Sequence, residues 1–373
     1  MKADKIGIQK IKTLAGTDTV EVKLYSGSNI TKASSPAGTS FGKYETPAFP
    51  GGIEKCLLEF NKIKNKIMEF DVSEQKNLDE FLKKNYDRIG GSVSLSVSIA
   101  FFRMNALVQN KELYESFGGK KFSMPILLSN IIGGGVHSKD GADIQEFLVF
   151  EPKAKSFQES FFKNMSAYKL IEKKLQSKIK GKNIEFAYIV DMNTEEILDN
   201  LSQICDFYGL KIGLDVAANS LFDGKNYVYK KDKKVLSFEE QRMYLNSLID
   251  KYNIQYIEDP LNEDDFSGFG KIKCRMVCAD DLTATNRFRL KKAGKYVNSS
   301  IVKPNQIGNV SDTIAYVKEC RKMKITPVVS HRSQETDDDF IAHLAVGFSI
   351  PFVKIGLNRI SKLNTLRDIE ERL

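Results

Sequence analysis

The chain has 373 residues, of which 42% are apolar and 28% charged, and its formal net charge at pH 7 is +8. This composition predicts a globular protein large enough for two domains. Lysines are interspersed with acids rather than gathered in a basic strip, and no apolar run reaches the ~20 residues of a membrane span. The first residues lack the apolar stretch that is typical of a signal peptide. We therefore expect a cytoplasmic protein that binds neither nucleic acid nor membrane.

The first 120 residues have the pattern of a small α+β domain. Residues 18–25 alternate between apolar and polar side chains, which is typical of a strand, and residues 34–42 form a loop rich in small residues. Residues 53–118 then show helical spacing of apolar positions. A run of strands followed by helices predicts an α+β domain over residues 1–120.

From residue 121 onward the pattern changes to short apolar strands, most of them followed by an amphipathic helix. Two strands come first, over residues 125–132 and 144–150, with only a glycine-rich connection between them. Strand ends then recur at intervals of roughly 25 residues, which is the length of one βα unit. We expect residues 121–373 to form a β/α barrel that carries the functional site.

Three carboxylates close successive strands of this predicted barrel. Asp215, Glu258 and Asp280 each stand at the end of an apolar run. A single acid there would be read as a helix cap, but three acids meeting at one rim repel one another unless a cation lies between them. Ligation by oxygen alone favours Mg²⁺ over zinc, so the spacing predicts a magnesium site.

Basic residues end the strands that follow. Lys303 closes one apolar run, and partial desolvation would lower its pKa and provide a neutral amine as a base, although pairing with a metal-site carboxylate is the alternative. Lys354 has the same placement and equally suits the binding of an anion. Arg332, beside His331 and Ser333, fits a phosphate or carboxylate. The rim therefore predicts a small anionic substrate.

Eight segments of the chain together resemble the enolase family over nearly its whole length. They are Ser35–Glu45, Arg88–Ala106, Asn130–Phe147, Gly213–Ala217, Ile257–Pro260, Ala279–Asn286, Lys303–Gly308 and Ser330–Thr336. The resemblance implies an α+β N-terminal domain and an eight-stranded barrel that opens with two adjacent strands. It also implies Mg²⁺-dependent dehydration of 2-phosphoglycerate to phosphoenolpyruvate by a dimer.

The same resemblance implies a role for each matching position. Asp215, Glu258 and Asp280 are similar to the ligands of a first Mg²⁺, and Ser40 is similar to the ligand of a second. Lys303 is similar to the base that removes the carbon-bound proton. The implied substrate-binding residues are His137, Gln145, Glu146, His331, Arg332, Ser333 and Lys354. Such sites use a lysine or histidine base with one or two Mg²⁺ ions, a case that is well known in general enzymology.

One position departs from the family pattern. The family's motif GDEGGFAPN corresponds here to residues 181–189, which puts Asn183 in place of the glutamate that helps expel the hydroxyl. Asparagine cannot donate a proton as a general acid. Glu185 lies two residues further on and, if this stretch is a strand, would share a face with Asn183 and could act in its place. Gly133 likewise replaces an asparagine of the family.

Three functions remain open on the sequence. The first is an enolase. The second is a diverged relative that removes the proton from another phosphorylated or carboxylated acid without expelling hydroxide. The third is a binding protein without catalysis on the same fold, against which the strand-end lysines argue, because binding alone gives no reason to place lysines beside three acids.

Overall fold

The computed structural model describes residues 1–38, 42–138 and 140–373, except for the side chain of His137. The N-terminal part is an antiparallel sheet of three strands against which helices pack. Its elements are β1 (Lys5–Lys12), β2 (Asp18–Ser26), β3 (Asn29–Ser34), α1 (Ile53–Met68), α2 (Gln75–Lys83) and α3 (Tyr86–Val108). In β2, Val20, Val22 and Leu24 are fully buried, and the polar residues between them are not. The apolar side chains of the predicted alternation therefore face the core.

Helix α3 is the central helix of this part. Within the described residues it alone is long and apolar enough to cross a membrane, but 78% of its apolar window is buried inside the protein. Gly90 interrupts the helical backbone with a φ of 75°, and a side chain there would collide with the carbonyl oxygen of Ala48 at 2.1 Å. The apolar composition of α3 thus reflects its place in the core.

The remainder of the described chain alternates strands with helices. The strands are β4 (Ile126–Gly133), β5 (Glu146–Phe150), β6 (Ile179–Lys182), β7 (Tyr188–Val190), β8 (Lys211–Asp215), β9 (Tyr227–Tyr229), β10 (Lys234–Leu236), β11 (Tyr256–Glu258), β12 (Met276–Ala279), β13 (Ser299–Val302), β14 (Thr326–Ser330) and β15 (Phe352–Lys354). The helices are α4 (Phe157–Lys174), α5 (Thr194–Tyr208), α6 (Phe238–Tyr252), α7 (Phe266–Phe269), α8 (Arg287–Ala293), α9 (Pro304–Ile307), α10 (Val310–Lys322), α11 (Phe340–Gly347) and α12 (Ile360–Glu370).

Among the described residues, eight of these strands close a barrel in the order β4, β5, β8, β11, β12, β13, β14, β15, with β15 pairing back onto β4. Strand β5 runs antiparallel to both of its neighbours, and the other pairs are parallel. The predicted barrel that opens with two adjacent strands is confirmed. Since one strand is reversed, seven strands share a carboxyl-terminal rim, and β5 begins at that rim.

The barrel interior has an apolar floor beneath this rim. Buried side chains from six strands meet there and form one cluster: Leu128, Leu148, Tyr256, Cys278, Ile301 and Val328, with Phe150 beside them. The charged residues at the carboxyl ends of the strands therefore lie above a layer of buried apolar side chains. Such a floor limits access of water to the rim from below, which strengthens electrostatic interactions there.

Two N-terminal side chains fix the barrel to the small sheet domain. Asp79 on α2 accepts a hydrogen bond from the backbone nitrogen of Ser311 at 2.8 Å, and Ser98 on α3 accepts one from Val310 at 2.9 Å. Both donors belong to the first turn of α10, so the N-terminal helices cap a barrel helix.

The segment that joins β6 to β7 is a turn and not a strand. It spans residues 183–187, and Phe186 has a φ of 72°. The shared face that Asn183 and Glu185 would have in a strand is therefore absent. The turn at residues 184 and 185 breaks the two-residue alternation that an extended strand requires.

Candidate active site

The predicted strand-end residues meet around one cavity of about 290 Å³ at the carboxyl-terminal rim. Asp215, Glu258 and Lys354 are the last residues of β8, β11 and β15, and Asp280 and Lys303 directly follow β12 and β13. Predicted residues that line the cavity are Gln145, Glu146, Glu185, Asp215, Asp280, Lys303, His331, Arg332, Ser333 and Lys354. Glu258 lies behind them, bonded to Lys354.

The ammonium group of Lys354 lies among three carboxylates. Its Nζ is 2.8 Å from Oδ2 of Asp215, 2.9 Å from Oε2 of Glu258 and 3.0 Å from Oε2 of Glu146, and all four side chains are almost fully buried. Burial opposes the charge of Lys354, but the three acids raise its pKa well above the ordinary value. One lysine cannot neutralise three acids, and burial, followed by the charge of Asp215, raises the pKa of Glu258 to about 7.

Lys303 forms an ion pair with Asp280, whose other carboxylate oxygen accepts a hydrogen bond from Nε2 of Gln306 at 2.9 Å. Burial lowers the pKa of Lys303, but the adjacent Asp280 outweighs it and the pKa is raised. The prediction that desolvation lowers this pKa is therefore wrong for the structure as it stands. The alternative, a lysine paired with a rim carboxylate, describes the observed contact.

His331 is neutral at its buried position. Burial lowers its pKa well below the ordinary value, although the nearby charge of Glu185 raises it. Its Nδ1 accepts a hydrogen bond from Nε of Arg359 at 3.4 Å, so the ring proton is on Nε2. Glu185 is 3% exposed and accepts a hydrogen bond from Nδ2 of Asn130 at 3.1 Å. The structure thus brings Glu185, and not Asn183, to the cavity wall.

Arg332 reaches the cavity from the end of β14 and contacts the N-terminal part of the chain. Its Nη1 donates to Oε2 of Glu45 at 2.9 Å, and both side chains are buried. The other oxygen of Glu45 accepts the backbone nitrogen of Gly42 at 3.0 Å. A guanidinium at the rim supplies the forked donors that suit an anion.

A second acidic group lies beside the predicted metal ligands. Carboxylate oxygens of Asp259, Asp280 and Asp281 all lie within 4.8 Å of one another. Asp259, however, accepts the backbone nitrogens of Asp280 at 2.9 Å and of Asp281 at 2.7 Å, so both of its oxygens already hold the loop after β12. The carboxylate of Asp259 therefore holds the backbone of this loop at the rim.

The donor set at Asp215, Glu258 and Asp280 fits a hard divalent cation. All the side-chain donors are oxygens, and Oε1 of Glu258 is buried without a hydrogen-bond partner among the described residues. A buried carboxylate oxygen without a partner is costly unless a cation balances it. These three acids could hold a metal ion.

The remaining predicted residues differ in what the structure describes. Gln145 donates from Nε2 to Oδ2 of Asp215 at 3.4 Å, and Ser333 lines the cavity next to Arg332. Ser40 lies outside the described residues, and so does the side chain of His137.

Several residues at the site were not singled out from the sequence. Asp259 and Asp281 directly follow the predicted ligands Glu258 and Asp280, and this adjacency in the sequence could have indicated that they belong to the site. Glu45 is 287 residues from Arg332 in the chain and Asn130 is 55 residues from Glu185, so no sequence spacing indicated these pairs. Each is brought in by closure of the barrel or by docking of the N-terminal loop.

Fold and site together define a β/α-barrel enzyme with an acidic, lysine-containing centre at the carboxyl-terminal rim. The family model for the enolase N-terminal domain matches residues 4–117, and that for the enolase C-terminal TIM barrel domain matches residues 121–373. The chain belongs to the enolase family.

Archaeal enolases are similar to the chain over almost its full length. The enolase of Archaeoglobus fulgidus is 38% identical, over 95% of this chain and 94% of its own. That of Picrophilus torridus is 37% identical, over 98% of both chains, and that of Methanosphaera stadtmanae is 35% identical, over 99% and 97%.

Proposed function

We propose that this enolase-family chain dehydrates 2-phosphoglycerate to phosphoenolpyruvate, as a carbon–oxygen lyase of glycolysis. The observation that carries the proposal is the pair of buried lysines at the rim, Lys303 beside Asp280 and Lys354 among Asp215, Glu258 and Glu146. Removal of a proton next to a carboxylate produces a dianion, which requires cationic groups beside it. The two lysines, together with a divalent cation held by the neighbouring acids, would supply that charge.

The chemistry begins with binding of the substrate by cationic groups. We propose that Arg332 and Ser333 hold the phosphate and that Lys354 holds the carboxylate, with the neutral imidazole of His331 as a further donor. Gln145, Glu146 and His137 complete the substrate-binding set. Forked donation from a guanidinium fixes the phosphate in one orientation, which places the carbon-bound hydrogen for transfer.

The two proton transfers fall to two different residues. Lys303, in its neutral form, takes the proton from C2, and the electron pair passes into the carboxylate. The carbon–oxygen bond at C3 then breaks, and the hydroxide leaves as water with a proton from Glu185. Glu185 replaces the missing acid at Asn183 because its carboxyl group lines the cavity and the asparagine cannot donate.

We propose Mg²⁺ as the divalent cation, held by Asp215, Glu258 and Asp280, with Ser40 contributing to a second ion. A bound cation would supply the charge that stabilises the dianion and would relieve Asp280 of its pairing with Lys303. The oxygen-only donors of these side chains favour Mg²⁺ over softer metals.

We further propose two domains, residues 1–120 and 121–373, in a cytoplasmic homodimer that needs neither nucleic acid nor a membrane. The resemblance to enolases supports the dimer, and the dispersed lysines give no basic strip for a nucleic acid. Sedimentation at several concentrations tests the dimer, because a monomer at micromolar concentration would contradict it.

The decisive experiment follows both halves of the reaction. Purified protein with Mg²⁺ and 2-phosphoglycerate should form phosphoenolpyruvate, seen by ultraviolet absorbance, and should exchange the C2 hydrogen in deuterated water. Lys303→Ala should abolish both, whereas Lys318→Ala, an exposed lysine on α10, should change neither. Exchange without dehydration would identify the diverged relative, which Asn183 favours, and the absence of both would leave a binding protein.

A further inference from the structure

The side chain of Asn183 organises the turn between β6 and β7. Its Oδ1 accepts the backbone nitrogens of Glu185 and Ala187, both at 3.0 Å. The backbone of the turn closes on itself as well, since Asn183 donates to the carbonyl of Ala187 at 2.9 Å and Phe186 donates to that of Asn183 at 3.0 Å. The side-chain acceptor of Asn183 therefore fixes the backbone position of Glu185.

The amide nitrogen of Asn183 occupies the space beside Gly133, the last residue of β4. A Cβ built on Gly133 would lie 2.3 Å from Nδ2 of Asn183 and 3.0 Å from Oγ of Ser138. Separations below 3.0 Å essentially never occur for real Cβ atoms. A side chain at residue 133 would therefore require the amide of Asn183 to move from its observed position.

Other contacts hold the turn on both sides. The carbonyl of Phe186 accepts a hydrogen bond from Oη of Tyr168 at 2.6 Å, and that of Ile184 accepts one from Nη2 of Arg359 at 3.2 Å. Lys182 places its Nζ 4.2 Å from the centre of the Phe186 ring. These contacts position the backbone around Glu185, and Asn183 accepts the hydrogen bond of the Glu185 amide within the turn.

We propose that Asn183 is a positioning residue for Glu185 and that Gly133 provides the clearance it needs. This inference rests on the proposed function, in which Glu185 protonates the leaving hydroxyl. Asparagine here does not carry the proton; it directs the turn so that a glutamate two residues later reaches the cavity. General acid catalysis requires the acid within hydrogen-bond reach of the leaving oxygen, so a small displacement of the turn affects dehydration more than binding.

The test separates proton removal from dehydration. Asn183→Ala should lower the kcat for dehydration about 10- to 100-fold, with KM for 2-phosphoglycerate and the rate of C2 hydrogen exchange within about twofold of the parent protein. Asn183→Asp keeps the two acceptor bonds and should recover most of the dehydration rate. Asn193→Ala is the matched control, because Asn193 caps α5 by accepting the nitrogen of Glu196 at 3.0 Å and lies outside the site; it should lower the melting temperature alone.

The pairing with Gly133 has its own measurement. Gly133→Ala should lower the melting temperature in the parent protein, since the new methyl group meets the amide of Asn183, but should lower it less in the Asn183→Ala background. Equal effects in the two backgrounds would overturn the steric pairing.

Two kinetic results would overturn the positioning role. One is dehydration by Asn183→Ala at the parent rate; the other is an equal loss of exchange and dehydration, which indicates general damage to the site. A parent protein with neither activity would contradict the proposed function instead, and the melting experiment would still decide whether Asn183 and Gly133 are coupled.

Discussion

Nη1 of Arg332 and Oε2 of Glu45 are 2.9 Å apart and join the end of β14 to the N-terminal loop. Both side chains are about 5% exposed, so the two charges compensate each other where little water reaches them. This contact places a residue of the N-terminal segment at the wall of the barrel cavity.

The Arg332–Glu45 pair should be strongly coupled in stability. Removing one partner of a buried pair weakens the compensation of the remaining charge. Because Asp280 and Asp281 also act on Arg332, Glu45→Gln should lower the free energy of unfolding by at most about 3–5 kcal/mol. In a double-mutant cycle with Arg332→Gln, we expect a coupling energy of about 1–3 kcal/mol from denaturant unfolding. Lys251→Met, which breaks an exposed pair with Glu195, should cost under about 1 kcal/mol. Additive effects of the two buried substitutions would contradict the coupling.

Glu185→Gln should separate the two halves of the reaction. The amide cannot donate a proton as an acid, so kcat for dehydration should fall by at least about 100-fold, while exchange of the C2 hydrogen continues. Steady-state kinetics and proton NMR in deuterated water measure the two rates. Glu195→Gln, on the exposed surface of α5, should leave both rates unchanged. Dehydration at the parent rate in Glu185→Gln would exclude this residue as the acid.

Metal titration should distinguish the two acidic groups at the rim. If the cation is held by Asp215, Glu258 and Asp280, then Glu258→Gln should weaken Mg²⁺ affinity at least about 10-fold in calorimetry, since one anionic ligand is lost. Asp281→Asn should have a much smaller effect. The reverse order would place the ion at Asp259, Asp280 and Asp281. Chelation by EDTA should abolish dehydration, and added Mg²⁺ should restore it.

The stability of the metal-free protein should depend on the ionisation of Glu258. Burial and then Asp215 raise its pKa to about 7, whereas an unfolded glutamate titrates near ~4.3. The folded state therefore binds the proton more tightly, and this contribution to stability is fully present below about pH 4 and is lost as the pH rises to about 7. Unfolding free energies measured in EDTA should show this decline. In Glu258→Gln the decline should be smaller, and an identical pH dependence would contradict the shifted pKa.

The barrel and the positions of the residues that end its strands could be predicted from the sequence. Runs such as residues 210–215 and 299–303 are local, and the spacing of βα units brings their ends to one rim whatever the details of packing. Asp215, Glu258, Lys303 and Lys354 could therefore be placed before the fold was seen, because parallel strands have one carboxyl-terminal edge.

Which groups are in contact, and which pKa values those contacts shift, depends on how the whole chain is folded. The pairing of Lys303 with Asp280 raises a pKa that desolvation alone would lower, and the contact of Arg332 with Glu45 crosses from the barrel to the N-terminal loop. Residues 183–187 form a turn in which Oδ1 of Asn183 accepts two backbone nitrogens and Phe186 has a positive φ, so Asn183 and Glu185 do not share the face of a strand. Ion pairs and turn geometry depend on neighbours distant in the chain, and neither periodicity nor spacing encodes those neighbours.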